Sequence, residues 1–306
     1  MKPSVPSAVF RFAHHAMGTV FETMISGVDE VYAGQASRAA FNEIDKIERL
    51  FSRYDPTSEI SRINRLAPGQ SMRIGLETYE CLDTAEGIRR MTGGAFDINV
   101  KSLARYMNSQ GRGLGYREAS RILPEIRLSA RFGGFEARIT KGRKGVPFAG
   151  VDIDLGGVGK GYALERAMSV LNDWSIDNVL IHGGTSSAVA SGTAPGDDGK
   201  HGGWPVGIGG DWRCPGVPDF ISLSHRALSG SGTEVKGAHI IDPRSGCPAR
   251  GHLAAWVSHP CATDADALST AFMVMSTSEV ERYCRRHRDI WALVVNGPGD
   301  CRLFSP

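Results

Sequence analysis

Asp154-Leu155-Gly156-Gly157-Val158-Gly159-Lys160-Gly161-Tyr162-Ala163 is the stretch that decides how this chain is read. Just ahead of it and into it, Val151 to Leu155 alternate apolar and polar side chains, the pattern of a half-buried strand. Gly156 and Gly157 then allow the backbone to turn sharply or to approach a ligand closely. A helix is predicted from about 159 to 172. A strand thus delivers an acidic residue, a glycine pair opens the backbone, and Lys160 stands at a helix start. Backbone amides and the positive helix end suit a phosphate, and Lys160 adds a mobile cation. The spacing is not GxxxxGK[ST], so this is no Walker loop. A glycine-rich turn with an exposed lysine accounts for the segment, taken alone, about equally well.

Working outward, residues 19–26 read as a strand, and residues 33–50 place Ala36, Ala39, Ala40, Ile44, Ile47 and Leu50 at helical spacing. A second helix is predicted over 77–91, ending in the turn Thr92-Gly93-Gly94. The stretch 107–150 is polar and dotted with glycine, with a short helix near 116–122. After the central segment come strands at 178–182, 219–223, 237–241, 253–258 and 290–295, and helices at 264–275 and 277–287. Residues 193–203 read as an exposed loop and about 1–12 as a flexible start. No repeat and no proline- or serine-rich linker divides the chain, so one α+β domain over 1–306 is expected.

Composition narrows the function classes. The 306 residues are 41% hydrophobic and 22% charged, as in an ordinary soluble enzyme. A formal charge of +2 offers no extended basic face, which argues against a nucleic-acid partner. No run reaches the length of a membrane helix, and the N-terminus lacks the apolar core of a signal peptide. Cytoplasmic location is therefore expected for the chain as written. The six cysteines show no CxxC pattern and read as thiols of a reducing compartment.

Several other segments carry possible chemistry. Asp266 and Thr270 lie four apart in Ala265-Asp266-Ala267-Leu268-Ser269-Thr270-Ala271, so a helix sets them on one face. A carboxylate and a hydroxyl are hard oxygen ligands suited to magnesium, although both residue types also favour helix starts. His239-Ile240-Ile241-Asp242-Pro243 ends a strand-like run, and a histidine there can act as a base near neutral pH. Thr92-Gly93-Gly94-Ala95-Phe96-Asp97 either cradles a ring or caps the helix before it. Phe51 to Asn64 reads as a loop entering a short capped helix.

In their order along the chain these segments resemble the FAD:protein FMN transferase family, also called the ApbE family. The resemblance is carried by Met17-Gly18-Thr19, Phe51 to Asn64, Thr92 to Asp97, Asp154 to Ala163, Gly183-Gly184, His239 to Pro248 and Ala265 to Phe272. It implies an α+β fold with mixed or antiparallel sheets and flanking helices. It also implies that Met17, Ala95, Phe96, Asp97, Asp154, Lys160 and Ile240 contact FAD. Magnesium would be held by Asp266, Thr270 and the backbone carbonyl of Gly157, with Ser269 beside them. His239 and Lys160 are the implied catalytic groups. The implied reaction moves FMN from FAD to a serine or threonine of an electron-transfer protein and releases AMP. Two alternatives stay open on the sequence alone: hydrolysis of FAD to FMN and AMP, and FAD binding without turnover. The sequence departs from the family pattern at Thr185, after the glycine pair, and in the compact run Leu228 to Gly232.

Overall fold

The structure is a computed structural model that describes residues 8–109, 118, 122–131, 133–142, 150–196, 202–210, 212, 214–233, 237 and 239–305. Its frame is an eight-stranded sheet in which every neighbouring pair is antiparallel. The strands are β1 (Val9–Ala16), β2 (Thr19–Ser26), β6 (Asn178–Gly183), β7 (Ser187–Ser191), β10 (Arg226–Gly232), β13 (Ala254–His259), β14 (Trp291–Gly297) and β15 (Asp300–Phe304), adjacent in that order. A three-stranded sheet of β3 (Ser71–Ile74), β5 (Gly134–Ile139) and β4 (Ile126–Arg131) stands apart. Two small hairpins complete the strands: β8 (Trp204–Gly207) with β9 (Phe220–Leu223), and β11 (Ile241–Asp242) with β12 (Cys247–Pro248). The α+β class with antiparallel sheets is as the sequence led us to expect.

Strand alternation gives the large sheet two apolar faces. Phe21, Ile25, Val179, Ile181, Val189, Ala227, Val257 and Val294 point into the main core. Leu180, Ala188, Ala190, Leu228, Trp256, Leu293 and Val295 point the other way, into a smaller core with Trp204 and Trp212. Helices α1 (Glu30–Phe51), α3 (Leu76–Met91), α5 (Gly159–Asp173) and α6 (Ala262–Val274) close the main face. The remaining helices are α2 (Glu59–Asn64), α4 (Val100–Ser109) and α7 (Thr277–Arg286). Helix α1 buries Ala33, Ala36, Ala40, Ile44, Ile47 and Phe51 at three-to-four spacing, capped by Asp29. Helix α6 is buried on almost every side, from Ala262 to Val274. A helix apolar all round lies inside a fold, which makes its one acid beyond the first turn, Asp266, informative.

Some expectations need correction. Residues 151–155 form no strand. Their polar groups pair with side-chain amides and an irregular segment instead: Ile153 N donates to Asn64 Oδ1, Asn64 Nδ2 donates to Ile153 O, and Asp152 N donates to Asn99 Oδ1. A buried backbone needs partners, but not necessarily a neighbouring strand. The strand expected at 237–241 shrinks to Ile241–Asp242 in the β11–β12 hairpin. Strand β1 begins at Val9, inside the stretch read as a flexible start, and pairs with β2 over its whole length. The short helix expected near 116–122 falls almost wholly outside the described residues, as does the middle of the 193–203 loop. No helix among the described residues is long and apolar enough to cross a membrane.

Two of the six cysteines are not free thiols. Cys214, beside the β8–β9 hairpin, is bonded to Cys301 of β15, and the bond ties the cover of the smaller core to the sheet edge. The other four are free. Alkylation of the denatured chain without reductant should therefore label four cysteines, and six after reduction. A Cys214→Ala/Cys301→Ala variant should lose about 2–4 kcal/mol of stability in a urea titration. Six labelled without reductant would contradict the assignment.

Candidate active site

The site is built where α5 and α6 cross. A methyl placed on Gly161 would lie 2.3 Å from Ala262 O and 2.7 Å from Asp266 Cβ. Both are far inside contact distance, so only glycine permits the approach. The crossing lets each helix cap the other. Val158 and Cys261, the residues preceding α5 and α6, supply no side-chain cap. Instead, Gly161 N donates to Asp266 Oδ2 at 2.9 Å, and the amide of Lys160 also faces this carboxylate. In return Ala262 N donates to Glu165 Oε2 at 2.5 Å. The amides at the start of α5, which the sequence offered to a phosphate, are thus partly committed to Asp266.

Asp266 is only 4% exposed. Burial pushes its carboxyl above the usual carboxylate range, against the pull of the Lys160 ammonium and of the Gly161 and Lys160 amides. A buried carboxylate in that condition favours a further cation beside it. Thr270 stands one turn on, half-buried, and a methyl on Gly157 would come within 2.8 Å of Thr270 Oγ1. The absence of that methyl leaves room between the Gly157 backbone and the hydroxyl. Ser269 is fully buried and donates its hydroxyl to Asp266 O at 2.9 Å. Lys160 Nζ donates to Ser186 Oγ, just after the Gly183-Gly184 turn.

These residues fit a magnesium ion. Among the described residues no group of three or more His, Cys, Asp or Glu side chains could hold a metal. The centre offers one carboxylate, one hydroxyl and backbone carbonyls. An all-oxygen set of few protein ligands suits a cation that keeps waters and takes phosphate oxygens, and suits zinc poorly.

Met17 lies at the same end. It has φ 50° and precedes Gly18 at φ 70°, so the two form the tight β1–β2 turn in which both central residues are left-handed. A methyl on Gly159 would meet Met17 Cε at 3.6 Å, which sets Met17 against the first turn of α5. Asp154 belongs to an adjoining charge cluster. Its carboxylate meets Lys101 Nζ at 2.7 Å and Arg53 Nη1 at 2.9 Å, and accepts from Gly156 N at 2.9 Å. Burial alone would raise its pKa; Lys101, Gly156 N–H and Arg53 outweigh burial and hold it below the usual range. Arg53 also pairs with Asp152, which in turn holds Arg105. Arg53 and Lys101 were missed by sequence reasoning. Their only signal was position, each within a segment singled out for another reason or just beyond one.

Other expected residues stand further out. Ala95 and Phe96 are core residues, and the Thr92-Gly93-Gly94 turn ends α3 through Gly94 N donating to Arg89 O. Asp97 lines a cleft of about 350 Å³ with Leu82, Glu86, Leu103 and Ile126. Neither Lys160 nor Asp266 lines that cleft. His239 is exposed at the root of the β11–β12 hairpin, and its Nδ1 is 2.9 Å from Gly237 O. A carbonyl only accepts, so Nδ1 carries the proton and Nε2 of the neutral ring is left as the basic nitrogen. Ile240 packs at the margin of the main core. Arg244 ties the hairpin down: it donates to Glu279 Oε1 at 2.8 Å and to Val274 O, at the end of α6, at 2.9 Å. Gly246 in the hairpin turn packs on Ala104 and Met107 of α4.

Comparison with known proteins places the chain in a family. The ApbE family model matches residues 17–294. A protein of Salmonella typhimurium named FAD:protein FMN transferase is 25% identical, over 95% of this chain and 85% of its own length. A Klebsiella pneumoniae protein of the same name is 26% identical, with the same coverage. The ApbE protein of Thermotoga maritima superposes with a TM-score of 0.73 at 25% identity, covering 97% of each chain. The apo flavinyl transferase ApbE of Pseudomonas stutzeri shares the fold, with a TM-score of 0.74 at 22% identity over 97% of this chain and 95% of that one.

The crossing generates a direct test. Gly161→Ala should lower the unfolding free energy by about 3 kcal/mol in a urea titration, since no side-chain movement relieves a clash with a backbone carbonyl. An unchanged midpoint would show that α5 and α6 do not meet there.

Proposed function

The chain belongs to the ApbE family, and from that premise we propose that it is a flavin transferase that cleaves FAD and attaches the FMN half to a serine or threonine of a partner protein. The observation that supports this reading best is the convergence of Lys160, buried Asp266 and Thr270 around Gly157 and Gly161. That set offers one ammonium, held by Ser186, and one buried carboxylate within a single crossing. A diphosphate neutralised by a divalent ion satisfies both. The proposal covers the whole chain as one working unit.

Asp266, Thr270 and the Gly157 carbonyl would hold magnesium, with Ser269 backing Asp266 from inside the helix. The chemistry such an ion supplies is neutralisation of the charge that builds on the diphosphate oxygens. Lys160, steered by Ser186, donates to a phosphate oxygen and steadies the same charge. Met17, packed against the start of α5, and Asp154, with its Lys101 and Arg53 partners, would contact the FAD. The acceptor hydroxyl forms a new bond to the FMN phosphorus as the bond from that phosphorus to the bridging oxygen breaks. AMP leaves with the bridging oxygen, and the hydroxyl proton passes to His239 Nε2. The hairpin carrying His239 is pinned to α6 through Arg244, which couples the base to the helix of the metal ligands.

Incubation with FAD, magnesium and a peptide carrying an acceptor threonine, read by intact mass, tests the proposal. The peptide should gain one FMN with release of AMP, and Asp266→Ala should abolish the gain. His239→Ala should retain FAD and slow transfer about 10²–10⁴-fold. Free FMN with an unmodified peptide would instead show hydrolysis, and bound, uncleaved FAD would leave only a binding protein.

A further inference from the structure

The metal centre touches a strand that no expectation named. Ser231, near the end of β10, places its Oγ 2.9 Å from Ser269 Oγ and 3.3 Å from Thr270 Oγ1. It lies two residues from buried Ser229 on the strand, on the sheet face that α6 covers. The three hydroxyls and one carbonyl form a closed set whose proton directions can be worked out.

Ser269 donates its hydroxyl to Asp266 O at 2.9 Å. That carbonyl also takes the backbone N–H of Thr270, four residues on, in the helical ladder. Both of its lone pairs are then engaged. Ser269 has used its only proton, so toward Ser231 it can only accept, and Ser231 donates to it. Ser231 has in turn used its proton, so toward Thr270 it accepts, and Thr270 donates to Ser231 Oγ. Asp266 O is also within reach of the Thr270 hydroxyl, at 3.4 Å, but Ser269 and the Thr270 N–H already engage it, which leaves Ser231 Oγ as the acceptor with a free lone pair. The order therefore runs one way: Thr270 to Ser231, Ser231 to Ser269, Ser269 to Asp266 O. A hydroxyl can bind a hard cation only through its oxygen, with its proton turned aside.

We infer that Ser231 is a positioning residue of the metal centre, drawing the Thr270 proton away so that the Thr270 oxygen faces a divalent cation in the space left open by Gly157. This rests on the reading that Asp266 and Thr270 hold that cation. Without the Ser231 oxygen, the Thr270 proton turns back into the site and opposes the ion. Partners of metal ligands of this kind typically change affinity 10–100-fold when lost.

The test titrates the full chain with Mn2+ alone and reads free ion by electron paramagnetic resonance. Ser231→Ala and Ser231→Val should weaken Mn2+ binding about 10-fold. Ser231→Thr, which keeps the hydroxyl and matches valine in shape, should stay within about twofold of the wild type. Asp266→Asn, measured alongside, should abolish binding. Wild-type affinity in Ser231→Val, with Asp266→Asn still defective, would overturn the role of Ser231 and leave the metal site standing. Equal loss in Ser231→Thr and Ser231→Val would overturn it as well, because shape and not the hydroxyl would then matter. Tight binding by Asp266→Asn, or none by the wild type, would remove the metal reading and the inference with it.

Discussion

A missing methyl group at Gly161 governs how the rest of the site is assembled. Its absence lets α5 and α6 approach until Ala262 O and Asp266 Cβ fill the space a side chain would take. That approach gives a buried carboxylate two amide donors at a helix start, a favourable place for negative charge. It also gives α6 its own cap from Glu165. Neither helix carries a side-chain cap of its own, so each helix start depends on the other. The contact that joins the two helices is the contact that builds the site.

The buried carboxyl of Asp266 explains why so much polar structure gathers in an otherwise apolar layer. Helix α6 is buried almost throughout. An ionised acid inside it requires compensation. Lys160 supplies part of that, held in place by Ser186. Thr270, Ser269 and Ser231 supply oriented oxygens. The β11–β12 hairpin, fastened to the end of α6 by Arg244, brings a histidine whose basic nitrogen is fixed by Gly237 O. The same helix thus carries the acid, the hydroxyl and the anchor of the candidate base.

Most of this frame was legible in the residues. Helical spacing in α1, the glycine turn after α3 and the four-residue interval from Asp266 to Thr270 all read directly, because each is a local pattern. What stayed hidden depends on contacts between distant segments. Residues 151–155 alternate like a strand, yet Asn64 and Asn99 take their backbone bonds, and no local pattern announces an asparagine as a substitute strand. Arg53 and Lys101 join Asp154 from elements far away in sequence. The Cys214–Cys301 bond was invisible because spacing alone does not show which cysteines meet. Ser231 stood in the compact run Leu228 to Gly232, where nothing local marked it as a partner of Thr270. A serine between glycines looks like turn material, and only the register of β10 against β13 sets it beneath α6.

On the proposed function, the Gly161 crossing holds a cation against a diphosphate. Crystals soaked with Mn2+ and FAD, with diffraction recorded at the manganese edge, test it most directly. One anomalous peak is expected about 2.0–2.2 Å from an Asp266 carboxylate oxygen and from Thr270 Oγ1, with a diphosphate oxygen in the same shell and Lys160 beside it. A peak on the Asp152–Asp154 cluster, with Asp266 left bare, would contradict it.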